Sequence, residues 1–194
     1  PGPLHLALAG HLPDVTWLIL PHEMGVISAD AAEVLLKNLQ KASVLLIGPG
    51  WGQEETTAEF LKRLLVSGQK SAPRRGIGFV IVDEETPEAG QSPLPALVID
   101  ADGLKLLGRI PEWHRLLPAQ AILTPHPGEL AVLTGLPVEE IQKDRLGVAA
   151  RFAHEWQHVV VLKGAFTVIA HPDGQLAVLP VATAALAHAG TGDV

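Results

Sequence analysis

The sequence predicts an α/β protein in which helices cover both faces of a mostly parallel β-sheet. Three observations lead to this fold class. Along the 194 residues, short apolar runs alternate with polar loops that contain glycine and with amphipathic helical patterns. The runs are apolar at successive positions, which is typical of strands buried on both faces. Every candidate motif follows such a run directly, and parallel sheets bind ligands at the carboxyl ends of their strands.

Two patterns of apolar residues predict the individual strands and helices. Continuous apolar residues predict strands, and apolar residues spaced three or four positions apart predict helices. The predicted strands are residues 16–20, 44–47, 96–99, 121–123, 159–162, 167–170 and 176–179. The predicted helices are one that Ser28 caps and that continues to Leu39, one at 54–67 and one at 139–156. The turn residues 172–174 (Pro-Asp-Gly) indicate that the last two strands form a hairpin.

Residues 68–95 interrupt this pattern. Their composition shifts to proline, glycine, serine and alternating charges, apart from the apolar residues 79–82. We expect an insertion or a long surface loop there, with one edge strand at most. The remainder is predicted to form one domain over residues 1–194 that is incomplete at both ends. The single methionine is Met24, and the sequence stops inside a glycine-rich motif.

Composition narrows the function classes. Hydrophobic residues make up 47% and charged residues 18% of the chain, which excludes global disorder. A formal net charge of −7 argues against a nucleic-acid-binding surface. No apolar run approaches the roughly 18 residues that a membrane-spanning helix needs. The absence of cysteine rules out disulfides and thiolate metal sites and fits a cytoplasmic location, which we expect.

The sequence Ala-Gly-Thr-Gly-Asp-Val at residues 189–194 is typical of phosphate binding. Gly190 and Gly192 lack a Cβ, so the backbone can approach a phosphate closely. A helix that starts there would add unpaired N–H groups and its dipole. Asp193 would then lie where a hydroxyl meets the phosphate and would accept its proton. The alternative is an ordinary glycine turn with an Asp N-cap.

Two further motifs contain glycine at the end of a predicted strand. Residues 48–52 (Gly-Pro-Gly-Trp-Gly) offer a backbone-lined ledge for a flat or phosphorylated ligand. The alternative for them is a tight turn between strand and helix. Lys163 and Gly164 follow another strand and are suited to place an ammonium group beside a phosphate. A solvent-exposed lysine at a strand end is the alternative reading.

Acidic residues follow the two strands between these motifs. Asp100 and Asp102 are suited to hold Mg²⁺ directly or through water, whereas Asp102 alternatively caps the next helix. His126 and Glu129 lie in a turn that proline and glycine make rigid. This turn would fix the histidine against a substrate and the carboxylate against the water shell of a metal ion. A capping role for Glu129 is the competing interpretation.

Five motifs in order resemble the NAD(P)H-hydrate dehydratase family, which has a ribokinase-like fold. They are LIGPGWG, VIDADGL, LTPHPGEL, VVLKGAFTVI and AGTGDV. The resemblance implies a three-layer sandwich and a repair enzyme that dehydrates NADHX and NADPHX, the hydrates of NADH and NADPH. It also implies ADP or ATP as co-substrate, Mg²⁺, and phosphorylation of the carbinol hydroxyl followed by loss of phosphate.

The resemblance also carries roles onto individual residues. Asp193 would be the catalytic base and a contact of the hydrate. His126 and the glycines Gly50 and Gly52 would bind the hydrated cofactor, Gly52 more closely than Gly50. Glu129, with Asp102, would hold Mg²⁺. The nucleotide would contact Lys163, Gly164, Ala165, Phe166, Thr167, Gly190 and Gly192.

The chain departs from the family pattern at two places. Members commonly carry asparagine where Lys105 lies, and another asparagine near Thr183. These departures keep a nucleotide-binding module without catalysis open as an alternative. A small-molecule kinase of the same fold is a second alternative, although the motif His-Pro-Gly-Glu at 126–129 argues against it. A homo-oligomer and a fused upstream epimerase domain are further expectations.

Overall fold

The computed structural model describes residues 1–68 and 94–182. A small antiparallel hairpin, β1 (His22–Glu23) and β2 (Val26–Ile27), precedes a six-stranded sheet. The sheet strands lie side by side in chain order. They are β3 (Val44–Ile47), β4 (Ala96–Ile99), β5 (Ile122–Leu123), β6 (Val159–Leu162), β7 (Val168–Ala170) and β8 (Leu176–Val178). Strands β3 to β6 are parallel, and β7 and β8 are antiparallel to their neighbours.

Seven helices accompany the strands in the described residues. They are α1 (Gly2–Leu8), α2 (Ala31–Asn38), α3 (Glu55–Gly68), α4 (Asp102–Leu107), α5 (Pro127–Thr134), α6 (Val138–Lys143) and α7 (Arg145–Trp156). Short 3₁₀ turns lie at Leu39–Lys41 and Trp113–Leu116. The predicted α/β class with a mostly parallel sheet is confirmed. Over the two described ranges, none of the helices is both long and apolar enough to cross a bilayer.

The core lies on one face of the sheet. Ile47, Ile99 and Leu123 occupy equivalent register positions on neighbouring strands, and each is at most 2% exposed. Buried side chains from α2 to α7 belong to the same cluster, with Phe60 of α3 fully buried in it. Burying one such side chain contributes about 1.5–3 kcal/mol. This cluster fixes the strands against the helices and so fixes the strand ends.

The opposite face of the sheet is apolar but partly exposed in the described residues. Val44 and Leu46 of β3 are 57% and 60% exposed, and Ile169 of β7 is 39% exposed. Leu46 and Val98 are register partners, and the row continues across the sheet through Ile122. The buried helix residues pack against the face that carries Ile47, Ile99 and Leu123. A helix layer on the opposite face, which the sequence predicts, stays a prediction.

The prediction of a strand at 16–20 is wrong. These residues form irregular backbone, with Leu18 and Ile19 42% and 53% exposed. An apolar run becomes a strand only when a neighbour pairs with its N–H and C=O groups. Within the described residues, the six-stranded sheet begins at β3 and no strand pairs with this run.

The predicted helix at 139–156 is divided into α6 and α7. Asp144 lies between them, and its carboxylate accepts a hydrogen bond from the N–H of Gly147 at 2.8 Å. It therefore acts as the N-cap of α7, a role that aspartate favours. The first helix also starts later than expected, because Asp30 and not Ser28 is the N-cap of α2. The strands at 44–47, 96–99 and 159–162 and the hairpin of β7 and β8 are confirmed.

The stretch predicted to be an insertion is described only at its ends. Gly68 is the last residue of α3, and Leu94 is 5% exposed and packs in the core just before β4. Residues 69–93, which include the apolar residues 79–82, lie outside the described residues. The insertion and the single-domain boundary stay predictions.

A buried histidine leads to a prediction about stability. His158 precedes β6, is 3% exposed, and has Nε2 2.8 Å from the carbonyl oxygen of His114. Because a carbonyl only accepts, Nε2 carries the proton and donates it. Burial lowers the pKa of His158, the bond to the carbonyl opposes this, and the charge of His114 lowers the pKa further.

We therefore expect the free energy of unfolding to decrease as the pH falls below about 6.5, the ordinary histidine pKa. Below that pH the unfolded chain binds a proton that the folded chain binds only at lower pH. Urea unfolding between about pH 5 and 8 measures this slope. His158→Gln is expected to flatten it, and His11→Gln, at an exposed residue, is the control. An equal slope for His158→Gln and the unsubstituted protein would contradict the prediction.

Candidate functional site

Four loops meet at the carboxyl ends of β3, β4, β5 and β6. Backbone bonds join each loop to its neighbour, because the N–H of Asp100 donates to Ile47 O and that of Thr124 to Ile99 O, both at 3.1 Å. The N–H of Lys163 donates to Pro125 O at 2.8 Å. Four of the five motifs that the sequence predicts to converge are thus brought to one edge of the sheet.

The loop after β3 packs directly on the loop after β4 at Gly48. Its φ is +114°, and a Cβ at this residue would overlap the carbonyl oxygen of Asp100 and lie 2.7 Å from the N atom of Gly103. Only glycine allows this approach. Trp51 holds the far side of the loop, with its ring edge-on to Phe60 at 5.2 Å between centroids. The loop is therefore anchored at both ends of its glycine sequence.

Of the predicted substrate glycines, Gly50 lies on the open side of this loop, whereas a Cβ at Gly52 would overlap the carboxylate of Glu54. Gly50 has a φ of +69°, and a Cβ there would meet no heavy atom within 4 Å. The N–H of Gly52 donates to Oδ2 of Asp102 at 3.1 Å. Farther along, Nη1 of Arg109 donates to the carbonyl oxygen of Gln53 at 2.9 Å. Asp102 of α4 and Arg109, two residues after the end of α4, thus hold the glycine loop in place.

The loop after β4 contains a strained residue between its two aspartates. Ala101 has φ 49° and ψ −123°, a conformation that costs about 1–3 kcal/mol in a residue with a side chain. Asp102 makes no capping bond to α4, so the capping alternative for it is wrong. Its Oδ1 instead accepts from Nζ of Lys105 at 3.2 Å. On either side of this strained residue, Asp100 pairs with Lys163 and Asp102 with Lys105.

His126 and Glu129 form a capping box at the start of α5. Nδ1 of His126 accepts from the N–H of Gly128 at 3.0 Å, and Oε2 of Glu129 accepts from the N–H of His126 at 2.9 Å. The capping alternative for Glu129 is therefore confirmed. Since Nδ1 accepts, the imidazole proton is on Nε2, which lies 3.3 Å from Oε1 of Glu129. The exposed His126 ring is held against a carboxylate that is only 3% exposed.

Lys163 connects three of the four loops. Its Nζ is 2.5 Å from Oδ1 of Asp100 and 3.8 Å from Oε2 of Glu129. The side chain is 31% exposed, so it is partly accessible to solvent while its ammonium group is paired. The reading of Lys163 as an ordinary solvated lysine at a strand end does not hold. Asp100 is the functional candidate that sequence reasoning missed in this role, because a pair 63 positions apart leaves no local signal.

The segment after Lys163 turns sharply beside α7. Gly164 has φ +143° and packs against the guanidinium of Arg145, whose Nη2 donates to Leu162 O at 3.1 Å. Oγ1 of Thr167 donates to Gly164 O at 3.1 Å, which closes the turn. The ring of Phe166 is 53% exposed. A groove of about 330 Å³ lies here, lined by Ala165, Phe166, Val168, Val178 and residues 142–146.

The two predicted metal ligands each have a cationic partner. Asp102 pairs with Lys105, and Glu129 lies 3.8 Å from Lys163. Within residues 1–68 and 94–182 no three histidine or acidic side chains are grouped to hold a metal ion. Mg²⁺ commonly binds through one or two carboxylates together with waters and substrate phosphates. Asp102 and Glu129 fit a site of this composition, in which water and phosphate supply the other ligands. Their predicted role as Mg²⁺ ligands stays a prediction.

The last motif lies outside the described residues. Gly190, Gly192 and Asp193, and the departure near Thr183, all fall within 183–194. Their predicted roles in phosphate binding and proton transfer stay predictions.

Comparison with known proteins places the chain in a family. A family model described as NAD(P)H-hydrate dehydratase matches residues 6–194. The chain belongs to this family. A bifunctional NAD(P)H-hydrate repair enzyme, Nnr, of Moorella thermoacetica is 38% identical over 188 residues. That match covers 96% of this chain and 31% of the Moorella enzyme, so the chain spans about a third of this relative.

Solved structures confirm the ribokinase-like fold of this NAD(P)H-hydrate dehydratase family member. The ADP/ATP-dependent NAD(P)H-hydrate dehydratase of Bacillus subtilis, co-crystallised with ATP and Mg²⁺, superposes with a TM-score of 0.65 at 28% identity. The match covers 98% of this chain and 55% of that one. A ribokinase-like superfamily protein of Enterococcus faecalis gives 0.66 at 24% identity over 97% of this chain and 54% of its own.

The close approach at Gly48 leads to a prediction about stability. We expect Gly48→Ala to lower the free energy of unfolding by about 3 kcal/mol, because it adds a clash with Asp100 to the cost of a positive φ. Gly50→Ala is the matched control, since it has a positive φ in open space and is expected to cost about 1–2 kcal/mol. Urea unfolding of both variants measures the difference. Equal losses would show that the loops do not pack as described.

Proposed function

We propose that the protein restores NADH and NADPH from their hydrates, NADHX and NADPHX, in a dehydration driven by ADP or ATP. The observation that carries the proposal is the paired Lys163 ammonium, which lies at the strand ends beside an open glycine loop in a member of the NAD(P)H-hydrate dehydratase family. The cleft thus offers a cation for phosphate and accessible backbone for a second ligand. A dehydration coupled to phosphoryl transfer needs both.

The chemistry follows from the poor leaving ability of hydroxide. The carbinol hydroxyl attacks the terminal phosphorus of the nucleotide and loses its proton to Asp193, the proposed base. The nucleotide leaves as AMP from ADP, or as ADP from ATP. The lone pair of the ring nitrogen then expels phosphate, and loss of a ring proton restores the dihydronicotinamide. Positioning and charge stabilisation supply most of the rate enhancement in such transfers.

The described residues divide into two proposed contact groups. Lys163 and the segment up to Thr167 contact the nucleotide, with the Lys163 ammonium at the phosphates and the exposed Phe166 ring beside the groove for the base. Gly50, Gly52 and His126 contact the hydrate from the neighbouring loops. Gly190 and Gly192 complete the phosphate contacts in this proposal. The Lys163 ammonium lies 3.8 Å from Glu129, the capping partner of His126, so the two groups meet there, which supports a shared phosphoryl group.

Mg²⁺ is proposed to enter with the nucleotide. Glu129 and Asp102 would hold it through water, since both carboxylates already accept hydrogen bonds from the loops around them. When bound, the ion neutralises phosphate charge and polarises the bond that breaks. The Bacillus subtilis structure obtained with ATP and Mg²⁺ supports this pairing for a related protein.

The setting of the protein is part of the same proposal. We propose a cytoplasmic homo-oligomer with an epimerase domain fused upstream. The bifunctional name of the Moorella relative, of which this chain covers 31%, supports the fusion. Size-exclusion chromatography with light scattering of the full-length protein tests the oligomer, and a peak at the monomer mass would reject it.

The central prediction is turnover of the hydrate. Full-length protein with NADHX, Mg²⁺ and either ADP or ATP is expected to restore the absorbance of reduced nicotinamide and to release one phosphate per NADH. No turnover by a folded protein that binds nucleotide would instead favour the inactive module. Accumulation of a stable phosphorylated alcohol would favour the small-molecule kinase.

Asp193→Asn separates binding from chemistry. The amide keeps the size of the side chain but cannot accept the hydroxyl proton, so turnover is expected to fall by about 100-fold or more. The dissociation constant of ADP, measured by calorimetry, is expected to change little. Asp173→Asn, in the exposed hairpin turn between β7 and β8, is the control. Unchanged turnover in Asp193→Asn would exclude Asp193 as the base.

A further inference from the structure

We infer that Asp100 is the positioning residue for Lys163 and that it sets the affinity of the protein for the nucleotide co-substrate. The inference rests on the proposed function, because it takes the phosphates to bind at the Lys163 ammonium. Asp100 was singled out from sequence only as a metal-ligand alternative beside Asp102. The structure gives it a different partner and a different task.

Asp100 is itself held firmly. Its N–H donates to Ile47 O at 3.1 Å, and its Oδ1 accepts from the N–H of Ala101 at 2.7 Å. The strained backbone of Ala101 and the packing of Gly48 on the Asp100 carbonyl fix the same turn. The side chain is 15% exposed. The carboxylate is therefore a rigid point between the ends of β3 and β4.

Lys163, by contrast, depends on its partners for a fixed position. Lysine has a flexible four-carbon stem and a charge without directional preference. Its Nζ lies 2.5 Å from Asp100 but 3.8 Å from Glu129, which also bonds to the backbone and ring of His126. Asp100 is thus the closer carboxylate and the one less committed to another side chain. An ammonium group has three donors, so the bond to Asp100 leaves donors for a phosphate.

Asp100 has two opposing effects on nucleotide binding. Its negative charge repels phosphate, and its bond to Lys163 places the cation that attracts phosphate. The Lys163 side chain is 31% exposed and that of Asp100 only 15%, so a phosphate reaches the ammonium more readily than the carboxylate, and water screens the repulsion. Fixing the flexible lysine in its binding position removes an ordering cost from the binding step. We therefore expect positioning to dominate.

The test is a double-mutant cycle in the full-length protein with Asp100→Asn, Lys163→Met and both together. Asp100→Asn is expected to raise the dissociation constant and the KM of ADP about tenfold, the lower end of the effect that loss of a partner behind a metal ligand has on metal affinity. The KM of NADHX is expected to change less than twofold. In the Lys163→Met background, Asp100→Asn is expected to change ADP binding less than twofold, because Asp100 acts through the lysine.

Two kinds of further variant serve as controls for the cycle. Glu59→Gln breaks the ion pair with Arg63 on the surface of α3 and is the control for loss of a paired carboxylate elsewhere. Asp100→Glu keeps the charge and is expected to recover part of the ADP affinity. Asp100→Ser, which also removes the carboxylate, replaces Asp100→Asn if that variant melts before the assay temperature. Circular dichroism of each variant checks folding.

Two results would overturn the inference. One is an ADP dissociation constant in Asp100→Asn equal to that of the unsubstituted protein. The other is an equal effect of Asp100→Asn with and without Lys163. Failure of the proposed function gives a different result: the unsubstituted protein would bind ADP but restore no NADH. The double-mutant cycle of ADP dissociation constants could still be measured in that case. An unsubstituted protein that does not bind ADP would overturn both.

Discussion

The parallel alignment of β3 to β6 is the constraint on which the rest of the structure depends. It brings the ends of four strands to one edge, so residues far apart in the sequence become neighbours. The loops then continue the strand pairing for one more residue, as the bonds from Asp100 to Ile47 and from Lys163 to Pro125 show. Without that register, the aspartate and the lysine would not meet.

Much of the fold follows from the sequence, and the errors have physical causes. Strands β3, β4 and β6 are predicted because each is a continuous apolar run followed directly by a glycine or a charged residue. The run at 16–20 is also largely apolar, but no described strand lies beside it, and composition does not show whether a strand finds a pairing partner. The apolar periodicity of residues 139–156 does not show the division at Asp144, because the division depends on a single side chain that caps α7.

The candidate site is predicted in outline but not in its pairings. Sequence order shows which loops end at the same edge, and the motifs show which residues carry charge. It does not show that Lys163 pairs with Asp100 rather than remaining solvated, or that the imidazole of His126 caps its own helix. Both depend on side-chain distances across strands. Sequence reasoning left metal binding and helix capping open for Asp102 and Glu129, and the structure shows both carboxylates in hydrogen bonds and close to a lysine.

The order of the strands has a consequence for how the protein is made. In the sheet from β3 to β8, each strand lies beside the strand that precedes it in the chain. A growing polypeptide that leaves the ribosome can thus add each strand to an edge already formed, without waiting for a distant segment. The loops that meet at the cleft then come together one after another in the order of translation.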